Sequence, residues 1–153
     1  MAKVLTIGNR KGGSGKTTTA VNVAAGLAHR GRRVLLADLD PQAHATLSLG
    51  IRDASGGGVL EVLEGTGTVG GLARPSYLGT LRVLAGSRGL AEYERRYTPV
   101  KEARTRLREA LGAAAGDFDW VVLDTPPTLG LLTVSALIAS DELVIPMQAH
   151  FLA

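Results

Sequence analysis

An α/β fold, with a mostly parallel sheet covered by helices on both faces, is predicted by three features of this 153-residue chain. Short apolar runs alternate with longer helical patterns along the sequence. The runs are continuously apolar rather than alternating, as in strands buried on both sides. A glycine-rich segment lies between the first such run and the first helical pattern, as the first turn of a βα unit requires.

The elements follow in order. Val4 to Ile7 (VLTI) is apolar and rich in β-branched residues, and reads as a buried strand. Lys16 to Arg30 reads as a helix, with Gly31 as its stop. Val34 to Ala37 (VLLA) is a second buried strand, and Val59 to Glu64 a short helix between glycine-rich loops. Leu81 to Leu84 is a third, weaker strand. Pro99 to Ala115 carries Val100, Ala103, Leu107 and Leu111 on one stripe and reads as one helix. Trp120 to Leu123 (WVVL) is a strand, Leu129 to Ala139 a helix, and Leu143 to Ile145 a last strand. The turn-rich segments 55–58 and 65–71 are too short for domain linkers, so one domain over residues 1–153 is expected.

Composition narrows the function classes. Hydrophobic residues are 45% and charged residues 20%, close to soluble globular averages. The 20 glycines show no three-residue period, which excludes collagen. Without cysteine the chain has no disulfide, thiolate metal site, iron–sulfur cluster or cysteine nucleophile. A net charge of +3 permits an anionic partner without requiring one. The longest apolar stretch, Pro127 to Ala139, falls short of the roughly 20 residues that span a bilayer. No membrane association is expected, and a cytoplasmic location is the default.

The strongest chemical signal is Lys11-Gly12-Gly13-Ser14-Gly15-Lys16-Thr17-Thr18, after a strand and opening a helix. Glycines let the backbone curl so that successive N–H groups point inward, and the following helix adds positive potential. Lys16 is placed to reach the β- and γ-phosphates of a nucleotide, and the Thr17 hydroxyl to ligate Mg²⁺. The usual phosphate-loop pattern has glycine where this chain has Arg10, and an extra lysine, Lys11, stands early in the loop. Two segments place carboxylates at strand ends: Asp38-Leu39-Asp40-Pro41-Gln42 and Asp124-Thr125-Pro126-Pro127. In an open parallel sheet these ends form the ligand crevice. A carboxylate there can hold Mg²⁺ through water or position an attacking water.

KGGSGKTT resembles the deviant Walker A motif of the ParA/MinD ATPases, and the order and spacing of the three motifs agree. The resemblance implies a P-loop NTPase fold, with ATP and Mg²⁺ as cofactors. It implies that residues 11–18 bind nucleotide and that Lys11 reaches a partner subunit's nucleotide in an ATP-sandwich homodimer. DLDPQ is similar to the family's switch I segment, where the second acid, Asp40, supports hydrolysis. DTPP is similar to its switch II segment, where Asp124 contacts Mg²⁺ through water. Catalysis is thus expected of Lys11, Lys16 and Asp40, and metal binding of Thr17, Asp40 and Asp124. The segment DPQ followed by Ala45-Thr46 looks closer to ParA/Soj partition ATPases than to MinD. Ser14 stands where Val is common in the family, and Ala43 and His44 where small or amide residues are expected.

A slow ATPase switch follows as the first expectation, stimulated by a ParB-like partner, bound to nonspecific DNA and associated with the nucleoid. Family members run on for roughly a hundred residues, so the chain is expected to be an early part of a longer domain. The missing part would complete the sheet, much of the adenine pocket and most DNA contacts. A MinD-like membrane-associated ATPase and a nucleotide-holding adaptor without turnover are the alternatives. The adaptor reading predicts no effect of Lys11→Ala on any activity. Arg95, Arg96, Lys101, Arg104, Arg106 and Arg108 form a basic cluster, with Lys101, Arg104 and Arg108 along one helical face. That face reads as a DNA contact or, more simply, as a solvated surface balanced by Glu92, Glu94, Glu102 and Glu109. His29, His44 and His150 have no metal-ligand spacing.

Overall fold

The computed structural model describes residues 1–53 and 55–149. A six-stranded sheet has the order β3-β4-β2-β5-β1-β6. Its strands are β1 (Lys3–Ile7), β2 (Val34–Asp38), β3 (Arg74–Pro75), β4 (Leu81–Leu84), β5 (Trp120–Asp124) and β6 (Glu142–Val144). All pairings are parallel except that of β3 with β4. The helices are α1 (Lys16–His29), α2 (His44–Ser48), α3 (Val59–Glu64), α4 (Val69–Leu72), α5 (Gly89–Tyr97), α6 (Arg106–Ala113) and α7 (Leu131–Ala139). The expected α/β architecture is borne out.

Successive strand residues point to opposite faces, so each apolar strand feeds two cores. Leu5, Ile7, Val34, Leu36 and Val122 meet Ala20, Ala24 and Ala28 of α1 on one face. Those alanines recur every fourth position and present a small-residue stripe that lets α1 lie close to the sheet. Val4, Leu35, Ala37, Val121 and Leu123 meet Val62, Leu90, Leu107, Leu111 and Leu132 on the other. Parallel registry brings Asp38 of β2 level with Asp124 of β5, and Ile7 of β1 level with Asp124. Three strand ends therefore open onto one edge, which carries the site.

Several elements depart from the sequence reading. The expected helix from Pro99 to Ala115 is broken: Lys101–Arg104 is a 3₁₀ turn, and α6 begins after Thr105. The Thr105 hydroxyl bonds the Glu102 carbonyl at 3.2 Å and the Glu109 carboxylate at 2.8 Å, a local alternative to continuous helix. The apolar stripe survives, with Ala103, Leu107 and Leu111 buried. Lys101 and Arg104 accordingly lie on a different element from Arg108, not along one helical face. Arg95 pairs with Glu92, and Arg106 stacks over the Tyr97 ring at 4.7 Å, which draws two more members away from the basic cluster. The last strand runs one residue earlier than expected. α5 has no counterpart in the sequence reading, because only Leu90 and Tyr93 of its nine residues are buried. His150 and the chain end lie outside the described residues.

Candidate nucleotide site

The glycine-rich segment joins β1 to α1 as a curled loop. Gly13 (φ 73°) and Gly15 (φ 88°) adopt the left-handed conformation, in which a side chain is strained. The Thr19 N–H donates to the Gly15 carbonyl at 2.8 Å, so the helical ladder begins there and the N–H groups of the first turn lie outside it. The loop therefore presents a row of donors at the amino end of a 14-residue helix with no acidic residue in its first turn. Lys16 is buried, and its Nζ donates to the Lys11 carbonyl at 3.5 Å, across the loop. Lys11 is exposed at the rim. The Gln148 amide donates to the Gly13 carbonyl at 3.3 Å and braces the loop from the far side. Ser14 Oγ is buried with no hydrogen-bond partner among the described residues, where a valine would bury no hydroxyl.

The two acidic segments converge on this loop. The Thr17 hydroxyl donates to Asp124 Oδ2 at 2.8 Å. Asp124 Oδ1 is buried and, among the described residues, has no hydrogen-bond partner. Burial, followed by the neighbouring Asp38 charge, pushes the Asp124 carboxyl up to about 7. Asp38 is fully buried and accepts from the Thr46 N–H at 2.9 Å, the Thr46 hydroxyl at 2.7 Å and the Asp40 N–H at 3.1 Å. Its pKa is raised by burial, which outweighs those hydrogen bonds. Asp40 is half-buried, and its Oδ1 accepts from the Gln42 N–H at 2.9 Å in an Asx turn. Ala43 then takes a left-handed conformation (φ 54°) as α2 begins.

A cavity of about 420 Å³ lies between the loop and these segments. Gly13, Lys16 and Thr17 line one side, and Asp40, His44 and Pro127 the other. The structure thus brings residues 12, 13 and 15–18 and Asp40 around one space, with Asp124 reached through Thr17; Lys11 and Ser14 do not line it. Pro127 and His44 were not singled out as site residues in the sequence. Pro127 lies three residues beyond Asp124, and only the turn of the 125–130 loop brings it to the cavity.

The chemistry of this donor set suits a magnesium–phosphate group. A buried carboxylate oxygen with no partner among the described residues, next to a threonine hydroxyl, is a hard-oxygen site. Among the described residues no cluster of three or more His, Cys, Asp or Glu side chains could hold a metal alone. A cation here would need phosphate oxygens as well, which the open amides are placed to hold.

The titration of Asp124 has a consequence for the nucleotide-free protein. Its carboxyl ionises near 4 in the unfolded chain and near 7 in the fold. Between these values the folded state holds more protons, so stability falls as pH rises from about 4 to 7 and is level above. Urea unfolding at pH 5 and pH 8 is expected to differ by a few kcal/mol, on the order of the shift. Asp124→Asn is expected to remove the Asp124 share of that difference and leave the part due to Asp38, whose pKa burial also raises, and an equal slope in both proteins would refute the assignment.

A phosphate loop at the carboxyl edge of a parallel sheet, facing two strand-end acids, defines a P-loop NTPase-like fold and site. The family model described as an AAA domain matches residues 2–153, and the chain belongs to that family. The chain is 42% identical over 154 residues to the sporulation initiation inhibitor protein Soj of Bacillus subtilis, covering 100% of this chain and 61% of that protein. It is 40% identical over 154 residues to the chromosome partitioning protein ParA of Myxococcus xanthus, covering 100% of this chain and 54% of that one. The fold is similar to that of the cobyrinic acid a,c-diamide synthase from Mycobacterium smegmatis, solved with bound ADP and magnesium. That similarity has a TM-score of 0.94 at 38% identity and covers 100% of this chain and 62% of that one. The expected likeness to Soj/ParA partition ATPases is borne out. The chain spans little more than half the length of these relatives. No helix among the described residues is long and apolar enough to cross a membrane.

Proposed function

We propose that this chain is a Mg-ATP-dependent switch of the ParA type, a weak ATPase that serves chromosome or plasmid partition. The observation that carries the reading is the Thr17–Asp124 hydrogen bond beneath a loop of open amides, with Asp124 Oδ1 left over for a further ligand. The ADP and magnesium in the Mycobacterium smegmatis structure support ATP and Mg²⁺ as the cofactors. Residues 12–18 would cradle the phosphates, with Lys16 supplying the cation at the β- and γ-positions. Thr17 and Asp124 would hold the metal, with Asp40 nearby to orient water toward the γ-phosphorus. Mg²⁺, when bound, supplies positive charge that offsets the phosphate charge during transfer. Residues 1–153 would act as one ATPase domain.

The finer parts of the proposal follow from the resemblance to the ParA/MinD ATPases. ATP would favour a sandwich homodimer, hydrolysis would release it, and a ParB-like protein would stimulate turnover. The dimer would bind nonspecific DNA and so sit on the nucleoid in the cytoplasm, without a membrane. The exposure of Lys11 at the loop rim supports a role for it at a second subunit's nucleotide. Light scattering tests this directly. Mg-ATP is expected to shift the chain from monomer to dimer, and Lys11→Ala is expected to abolish that shift while keeping ATP affinity within about threefold, because a donor acting in trans is absent from the monomer's site. A Lys11→Ala variant that dimerises normally would contradict the trans role.

A further inference from the structure

The 125–130 loop carries Pro127 to the phosphate cavity, and it is anchored at both ends. At its start the Thr125 hydroxyl donates to the Ile7 carbonyl at 2.8 Å. At its end stands Gly130, the N-cap of α7, which provides no side-chain cap. The first turn of α7 contains no acidic residue either. A carboxylate reaches it from another helix: Glu94 of α5, half-buried, accepts from the Leu132 N–H at 3.0 Å. The fit leaves no room, since a Cβ at Gly130 would fall 2.2 Å from Glu94 Oε1. An acid at a helix amino end is stabilised by the open N–H groups and the helix dipole.

The other end of the same segment touches the Asp40 loop. Gly86, three residues before α5, donates its N–H to the Thr46 hydroxyl at 2.9 Å, and that hydroxyl bonds Asp38. A Cβ at Gly86 would lie 2.8 Å from the Asp38 carbonyl and 2.9 Å from that of Asp40. Residues 86–94 thus run from the backbone of one acidic loop to the end of the other.

We propose that Glu94 is a positioning residue for the phosphate site: by capping α7 from α5 it fixes the 125–130 loop, and through Gly86 it ties that loop to the one bearing Asp40. Glu94 does not line the cavity, so its effect falls on the arrangement of the loops for hydrolysis rather than on nucleotide capture. The inference deepens the ATPase reading and rests on it.

The test uses the 153-residue chain, with steady-state ATPase rates and binding of a fluorescent ATP analogue. Glu94→Ala is expected to lower kcat by about tenfold or more, the scale of a small misplacement of reacting groups. Its affinity for the analogue is expected to stay within about twofold, since the cradle is untouched. Glu94→Gln keeps an oxygen acceptor for the Leu132 N–H and is expected to restore most of the rate. Gly130→Ala, which drives the carboxylate away without removing it, is expected to behave like Glu94→Ala. A normal rate in Glu94→Ala, or loss of rate and affinity in parallel, would overturn the proposal. If the unchanged chain binds and hydrolyses no ATP, the ATPase reading fails by itself. Amide exchange at Leu132 in the nucleotide-free protein then decides the contact: faster exchange in Glu94→Ala upholds it, and unchanged exchange overturns it.

Discussion

Asp40→Ala is expected to cut ATP hydrolysis by on the order of 100-fold while leaving ATP affinity within about threefold. Asp40 lines the cavity opposite Lys16 and Thr17 but bonds neither of them. Lys16, Thr17 and Asp124, the residues proposed to hold phosphate and metal, are therefore intact in the variant, and the loss is expected to fall on the step that needs a carboxylate near the attacking water. Asp40 also shapes its own loop by accepting the Gln42 N–H. Asp40→Asn keeps an oxygen acceptor for that turn and separates loop shape from charge. Loss of hydrolysis in both variants assigns the role to the carboxylate, whereas full hydrolysis in Asp40→Ala would remove Asp40 from the mechanism.

The second large effect is expected at Lys16. Its side chain is buried beneath the loop, with Nζ held near the Lys11 carbonyl. That long contact, at 3.5 Å, is easily exchanged for phosphate oxygens. Removing a charge-assisted partner of a phosphate is expected to cost about 2–3 kcal/mol, or roughly 30- to 150-fold in ATP affinity. Titration calorimetry with Lys16→Ala checks this. Unchanged affinity would place the triphosphate elsewhere. Circular dichroism of the same variant guards against misfolding, because burying less charge beside the acids also alters stability.

The sheet and the site were legible to different depths. β1, β2 and β5 are short, mostly apolar runs that end at a turn or an acid, and pattern alone finds them. The phosphate loop is legible because its glycines and lysine answer a backbone requirement local to the chain. The convergence of Asp40 and Asp124 is also legible, since parallel strands must end at one edge. What pattern does not reach is contact between distant elements. The Thr17–Asp124 bond spans 107 positions, and the Glu94–Leu132 bond spans 38. α5 carries only two buried side chains among charged ones, so its periodicity is weak, and Glu94 reads as a solvated acid until α7 is seen against it. The 3₁₀ turn at Lys101–Arg104 illustrates a local competition that an apolar stripe conceals, because the stripe is the same for both backbones. Asp38 is more deeply engaged than its strand-end position suggests: it organises the Asp40 loop through Thr46 rather than facing the cavity.

Thr17 and Asp124 are proposed to hold a metal that the phosphates of ATP complete. The most direct measurement is ATP affinity of the 153-residue chain at pH 8, by calorimetry, with Mg²⁺ and then with excess EDTA. Affinity is expected to fall by at least about tenfold in EDTA, as for phosphates that lose a shared cation. In Asp124→Ala the affinity with Mg²⁺ is expected to fall to the level seen in EDTA. Equal affinity in Mg²⁺ and EDTA, or a magnesium response that survives in Asp124→Ala, would contradict the account.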